Sequence, residues 1–194
     1  MLPGATASGA TAMRSILLAA MIAFIALGTA AQDAGAPEWF LDDIARLTAE
    51  GGRWVADNSP YKNENEPYDA YGLEWRSSFD GTTMTGRLFG LIDGEESGTF
   101  WEFRQYWHPG AKKAVLEQFG WNGVVGVGVI WPEGEAMKTA QTFYDPDGGE
   151  RRAGHINSFR DADTQISESY DIVDGEWKPH RRYVWKRAPA AQSQ

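Results

Sequence analysis

From residue 68 to residue 187 apolar and polar positions mostly alternate, in runs broken by Gly-bearing turns. A period of two is what a strand with one covered face produces. In 68–79, Tyr71, Leu73, Trp75, Ser77 and Phe79 share a face opposite Gly72, Glu74, Arg76 and Ser78. In 97–107, Trp101, Phe103, Gln105 and Trp107 oppose Phe100, Glu102, Arg104 and Tyr106. In 124–131, a bare face of Gly126 and Gly128 backs onto Val125, Val127 and Val129. Between the runs stand Asp80-Gly81, Asp93-Gly94, Pro109-Gly110, Asn122-Gly123, Glu133-Gly134, Asp147-Gly148 and Asp174-Gly175, with Arg160-Asp161-Ala162-Asp163 filling the missing beat. Asn-Gly and Asp-Gly tolerate the positive φ of tight hairpins, so the pattern predicts one hairpin after another.

The predicted strands cover 52–57, 68–79, 82–92, 97–107, 114–120, 124–131, 136–144, 151–159, 164–173 and 179–187. A different period precedes them. Phe40, Leu41, Ile44 and Leu47 recur at helical spacing over 37–50, with Pro37 suited to a first turn, Asp42 and Asp43 early, and Gly51-Gly52 as a stop. An even number of strands lets first and last pair antiparallel and removes exposed edges. The expected fold is therefore all-β: an antiparallel up-and-down β-barrel of about ten strands with one short N-terminal α-helix.

Residues 1–31 fall outside this pattern. Arg14, an apolar run over 15–27 and Gly28-Thr29-Ala30-Ala31 have the charge, length and small-residue end of a secretory signal peptide. The run is short for a membrane span, which takes ~20 apolar residues. The expectation is cleavage near Ala31 and a mature domain over 32–194, exported to the periplasm or secreted, with translation starting at Met1 or Met13. The formal net charge of −9 makes nucleic acid a poor partner. With 0 Cys in an oxidising compartment, stability must come from packing, which 9 Trp supply.

Gly52-Arg53-Trp54, behind a short helix and at the head of the first strand, resembles the Gly-x-Trp signature of the calycins. That superfamily includes lipocalins, fatty-acid-binding proteins and nitrobindin-like haem barrels. In it a basic residue of the last strand covers the Trp; Lys186 and Arg187 are both placed for that role. Trp107-His108-Pro109-Gly110 and Asp174-Gly175-Glu176-Trp177 are similar to turns of an uncharacterised lipocalin-like family of small bacterial exported proteins. Thr-Asp-Tyr is missing and no helix follows the last strand, which departs from lipocalins. The polar stretch 58–67 does not suit the helical lid of fatty-acid-binding proteins. The outline left is a ten-stranded, lidless barrel similar to nitrobindin.

The resemblance implies a binding cavity, and the aromatic face nominates Tyr71, Trp75, Trp101, Phe103 and Trp107 as its lining. The first reading is a non-catalytic barrel for a small, largely apolar ligand, with no cofactor. A second rests on His180: the run 179–187 loosely resembles the last strand of nitrobindin-like proteins, where a His ligates haem iron, which would make this a haem barrel or a small-molecule enzyme. Arg181 and Arg182 crowd that imidazole with positive charge. A third reading is an envelope interaction module with a solid core. His108 and His155 read as structural, no His or Cys pair has metal-ligand spacing, and 145–150 reads as a hairpin turn. Gly126-Val127-Gly128 lacks the following helix that dinucleotide binding requires. Whether Glu74, Arg76, Glu102 and Arg104 face outward, as solvated pairs, or inward is open at this level, as are the ligand and the oligomeric state.

Overall fold

The computed structural model describes residues 35–189, so the signal peptide expected over 1–31 lies outside the described residues. Helix α1 (Glu38–Thr48) leads through a 3-10 turn (Ala49–Gly51) into ten strands. They are β1 (Arg53–Asp57), β2 (Ala70–Ser78), β3 (Thr83–Ile92), β4 (Glu95–His108), β5 (Lys113–Gly120), β6 (Val125–Glu133), β7 (Ala136–Tyr144), β8 (Glu150–Asp161), β9 (Thr164–Val173) and β10 (Glu176–Ala188). Each pairs antiparallel with its sequence neighbour, and β1 closes the barrel against β10 through Arg53↔Ala188, Trp54↔Arg187 and Val55↔Lys186. The hairpins form where the turn chemistry predicts them. Asp93 (φ 52°) and Asp174 (φ 53°), each followed by a positive-φ Gly, adopt the left-handed pair that matches the twist of the flanking strands.

The alternation settles which face is inside. Leu73, Trp75, Trp101, Phe103 and Gln105 point into the barrel, while Glu74 and Arg104 point out. Outside, Glu74 bridges Arg53 (2.6 Å) and Arg87 (2.9 Å), which both reach Glu96 at 2.9 Å. The fully buried ring of Phe89 lies under these guanidinium groups. Phe79, grouped by alternation with Tyr71, Leu73 and Trp75, leaves their face and is exposed in the turn after β2, at φ 50°. On β6 the bare face is the inner one. A Cβ on Gly128 would sit 2.0 Å from the Ala140 carbonyl and 2.6 Å from Gln141 Cγ, so the missing side chain is what lets Gln141 cross the interior.

Helix α1 plugs one end. Phe40, Ile44 and Leu47 are buried on one stripe, packed in one core with Trp54, Trp75, Met84, Ala114, Ile130 and Trp185. Gly52 takes φ 65°, and a Cβ there would meet the Trp75 carbonyl at 2.1 Å. The Gly52 carbonyl accepts the Trp75 N–H at 2.9 Å. The glycine of the Gly-x-Trp signature is thus required twice, by conformation and by close approach. Trp54 is fully buried, donates its indole N–H to the Leu47 carbonyl (3.0 Å), and carries a guanidinium 4.2 Å over its ring. That guanidinium belongs to Arg187; Lys186 instead turns away to donate to Thr164 Oγ1.

Strand β1 starts at the plugged end and feeds the loop over 58–69, which therefore sits at the opposite end. The loop is not helical, but neither is that end left bare. Arg181 donates to both carboxylate oxygens of Glu66 at 2.6 and 2.8 Å, Tyr71 donates to Glu66 at 2.7 Å, and Tyr183 donates to Asn58 Oδ1 at 2.9 Å. A strap held by side chains thus stands at this end, and no helical lid forms there, as expected from the polar stretch 58–67.

Candidate ligand-binding cavity

Above the plug the barrel interior holds a cavity of about 260 Å³. One flank is apolar and aromatic, built from Trp75 of β2, Leu88 of β3, Trp101 and Phe103 of β4, and Tyr183 and Trp185 of β10. Strands β7, β8 and β9 supply the other: Thr139, Gln141, His155, Asn157, Gln165, Ser167 and Ser169. Gln105 and Gln118 extend this polar lining onto β4 and β5, and Asp43 reaches in from α1. The hollow interior speaks against a solid core, which would fill a small barrel with side chains.

Of the five aromatic residues nominated from the sequence, Trp75, Trp101 and Phe103 line the cavity. Trp107 shares their face but lies lower, its ring 6.3 Å from Phe40 and 6.5 Å from Trp39, where it packs against the helix. Tyr71 of β2 lies higher, beneath the strap, its ring 5.9 Å from those of Tyr68, Phe100 and Tyr183. Burial and then the bond to Glu66 push its hydroxyl pKa well up, so it stays a donor.

His180 does not reach the cavity. It stands half-exposed in a bulge of β10 between Pro179 and Arg181, with Nδ1 3.6 Å from Asp171 Oδ2. An axial haem ligand must project into the pocket holding the macrocycle; His180 does not, and about 260 Å³ is small for such a group. His108 accepts the Ala111 N–H (3.1 Å) in the turn after β4, a structural task as expected. No cluster of three or more His, Cys, Asp or Glu suited to a metal occurs among the described residues.

His155, read as structural from the sequence, lines the cavity. Burial pushes its pKa down to about 4, so the imidazole is neutral at physiological pH. Asp43 is the other residue that the sequence reading passed over. Burial raises its carboxyl to about 6, against the opposing pull of a bond donated by Gln105 Nε2 (3.4 Å) and of the Arg46 charge. It sits on the buried stripe of α1, three residues after Phe40 and four before Leu47, not in a solvated first turn. Two more polar groups stand out. The indole N–H of Trp75 and both amide atoms of Gln141 are buried with no protein partner.

No family model matches this chain. A search of curated proteins finds no match either.

Proposed function

We propose that this chain is an exported, calycin-like barrel that binds a small molecule, apolar on one flank and hydrogen-bonding on the other, without transforming it. One observation carries the reading: the Trp75 N–H and the Gln141 amide are buried, unpartnered, in residues that line a cavity of about 260 Å³. Buried polar groups are normally satisfied, and leaving one open costs ~1–3 kcal/mol. A ligand toward which the Trp75 indole and the Gln141 amide turn as it enters recovers that loss. Aromatic walls with a few convergent polar groups are the usual make-up of a small-molecule site. The volume, just under the ~300–1,000 Å³ typical of such sites, favours a compact ligand. The largely apolar ligand expected from the aromatic face thus needs a polar edge. The signal-like run over 15–27, with Gly28-Thr29-Ala30-Ala31 after it, supports the same activity outside the cytoplasm.

Native mass spectrometry of the exported protein tests this. The expected spectrum carries a copurified small molecule, reduced at least tenfold in occupancy by Gln141→Leu while the barrel stays folded. Apo protein alone, combined with failure to bind compact neutral aromatics such as 2-phenylethanol, would refute the reading.

A further inference from the structure

Among the described residues Asp43 is the one lining residue that bears a charge at neutral pH, and no Lys or Arg is among the lining. Its carboxylate has four lone-pair sites and one long bond, from Gln105 at 3.4 Å. Among the described residues no basic side chain forms an ion pair with it within 4.0 Å. Arg46, three residues on, is turned to the outside of the plug, where its guanidinium stacks 4.7 Å from the Phe159 ring. The remaining titratable groups of the lining are His155 from β8 and Tyr183 from β10, both neutral at pH 7. Gln141 Oε1 adds an unpartnered acceptor. Around these acceptors stand Trp75, Trp101, Phe103, Tyr183 and Trp185, and aromatic faces attract ammonium groups.

Resting on the binding role proposed above, we propose that the ligand is a small organic cation, an amine with an apolar body, and that Asp43 is its counter-ion. The ammonium supplies the donors that the Asp43 carboxylate lacks, and the aromatic flank takes the body. An anion would meet a carboxylate with no ion-pair partner within 4.0 Å among the described residues, and is rejected. Because the empty cavity holds Asp43 protonated below pH of about 6, binding the amine there releases a proton.

Calorimetry with the mature protein tests this, using 2-phenylethylamine and its neutral isostere 2-phenylethanol at pH 8 and pH 5, on the wild type and Asp43→Asn. The amine should bind at least tenfold tighter than the alcohol at pH 8. That advantage should shrink about tenfold at pH 5, where most of Asp43 is neutral, and vanish in Asp43→Asn, which should still bind the alcohol. Titrations at pH 6 in two buffers of different ionisation enthalpy should also show proton release by the wild type, a readout independent of the variant's folding. Equal affinity for amine and alcohol, unchanged by pH, would overturn the counter-ion role while leaving the binding cavity standing. Binding of neither would overturn both.

Discussion

Arg187 faces Trp54 directly across the seam that closes the barrel, its guanidinium 4.2 Å from the ring centroid. The same guanidinium donates to the carbonyls of Ala49 (2.7 Å), Arg46 (3.2 Å) and Ala162 (2.9 Å) and to Asp163 Oδ1 (2.9 Å). One side chain thereby shields the indole, satisfies carbonyls at the C-terminal end of α1 and ties the β8–β9 turn to the plug. A cation is favoured at that helix end.

Trp54→Ala should therefore destabilise the domain by ~3–5 kcal/mol, the usual range for truncating a core aromatic. Arg187→Ala should lose ~1.5–3 kcal/mol, as charged hydrogen bonds and the cover over Trp54 disappear together. Lys186→Ala, which removes one bond from an exposed residue, should lose ~1 kcal/mol or less. Urea unfolding of the three variants checks the order, and an Arg187→Ala midpoint equal to that of Lys186→Ala would sink the assignment.

Gly52→Ala should be among the most damaging single-methyl additions in the chain. Its Cβ would meet backbone, the Trp75 carbonyl at 2.1 Å, at a φ of 65° that L residues rarely adopt. Overpacking of this kind costs ~1–3 kcal/mol and strain adds to it. Gly134→Ala, at φ 62° with open space around it, isolates the conformational part. A melting temperature for Gly52→Ala no lower than that of Gly134→Ala would show that the plug and β2 do not meet as described.

Asp43 and His155 should drive stability in opposite directions with pH. Asp43 binds its proton more tightly folded, at about 6, than its ordinary 3.8, so its ionisation opposes folding as pH rises through that interval. Asp43→Asn should therefore stabilise the protein above pH 6, by on the order of 3 kcal/mol, with the gain gone below the ordinary carboxylate range. His155 binds its proton less tightly folded, at about 4, than its ordinary 6.5. The stability it contributes is whole above 6.5 and is lost as pH falls through 4. The wild type should accordingly show a shallow profile between these limits, and His155→Gln should tilt it toward greater acid stability. Urea midpoints across this range for all three proteins provide the check; parallel profiles would contradict both assignments.

The strap should open when Glu66 loses its charge. Burial works against the Glu66 carboxylate, but the bonds from Arg181 and Tyr71 win and hold its pKa below the usual range. Its contribution is therefore present at neutral pH and lost only in acid. Glu66→Gln should speed hydrogen exchange over 58–69 and at the Arg182 amide, which donates to Tyr61 Oη at 3.0 Å, by tenfold or more. Exchange in the β5–β7 strands should not change. A uniform acceleration would mean that Glu66 supports the whole barrel and not a local strap.

Much of this architecture is legible in the chain, because hairpin turns and period-two alternation are local signals. Asp93-Gly94 and Asp174-Gly175 sit where the positive φ values are, and Gly52-Arg53-Trp54 marks the plugged end. The cavity is less legible. Trp75, Trp101 and Trp107 share one inward parity, yet only closure of the barrel decides which height is hollow and which is filled by α1. The polar flank was hidden because Gln141, Asn157 and Ser167 look like solvent-facing positions to any rule that places polar residues outside. Two signals were available for it. Gly126 and Gly128 announced that something crosses the interior beside β6, and Asp43 stood on the apolar stripe of its helix.

In the proposed role the cavity takes a ligand through the unpartnered groups of Trp75 and Gln141. The most direct test is a ¹⁵N–¹H spectrum of the tryptophan indoles during titration with 2-phenylethylamine, with Trp75→Phe identifying the resonance. The account predicts a saturable shift of the Trp75 indole N–H, accompanied by the Gln141 side-chain amide, while the Trp54 indole, bonded to Leu47, stays in place. An unmoved Trp75 resonance at concentrations that saturate binding elsewhere on the protein would contradict it.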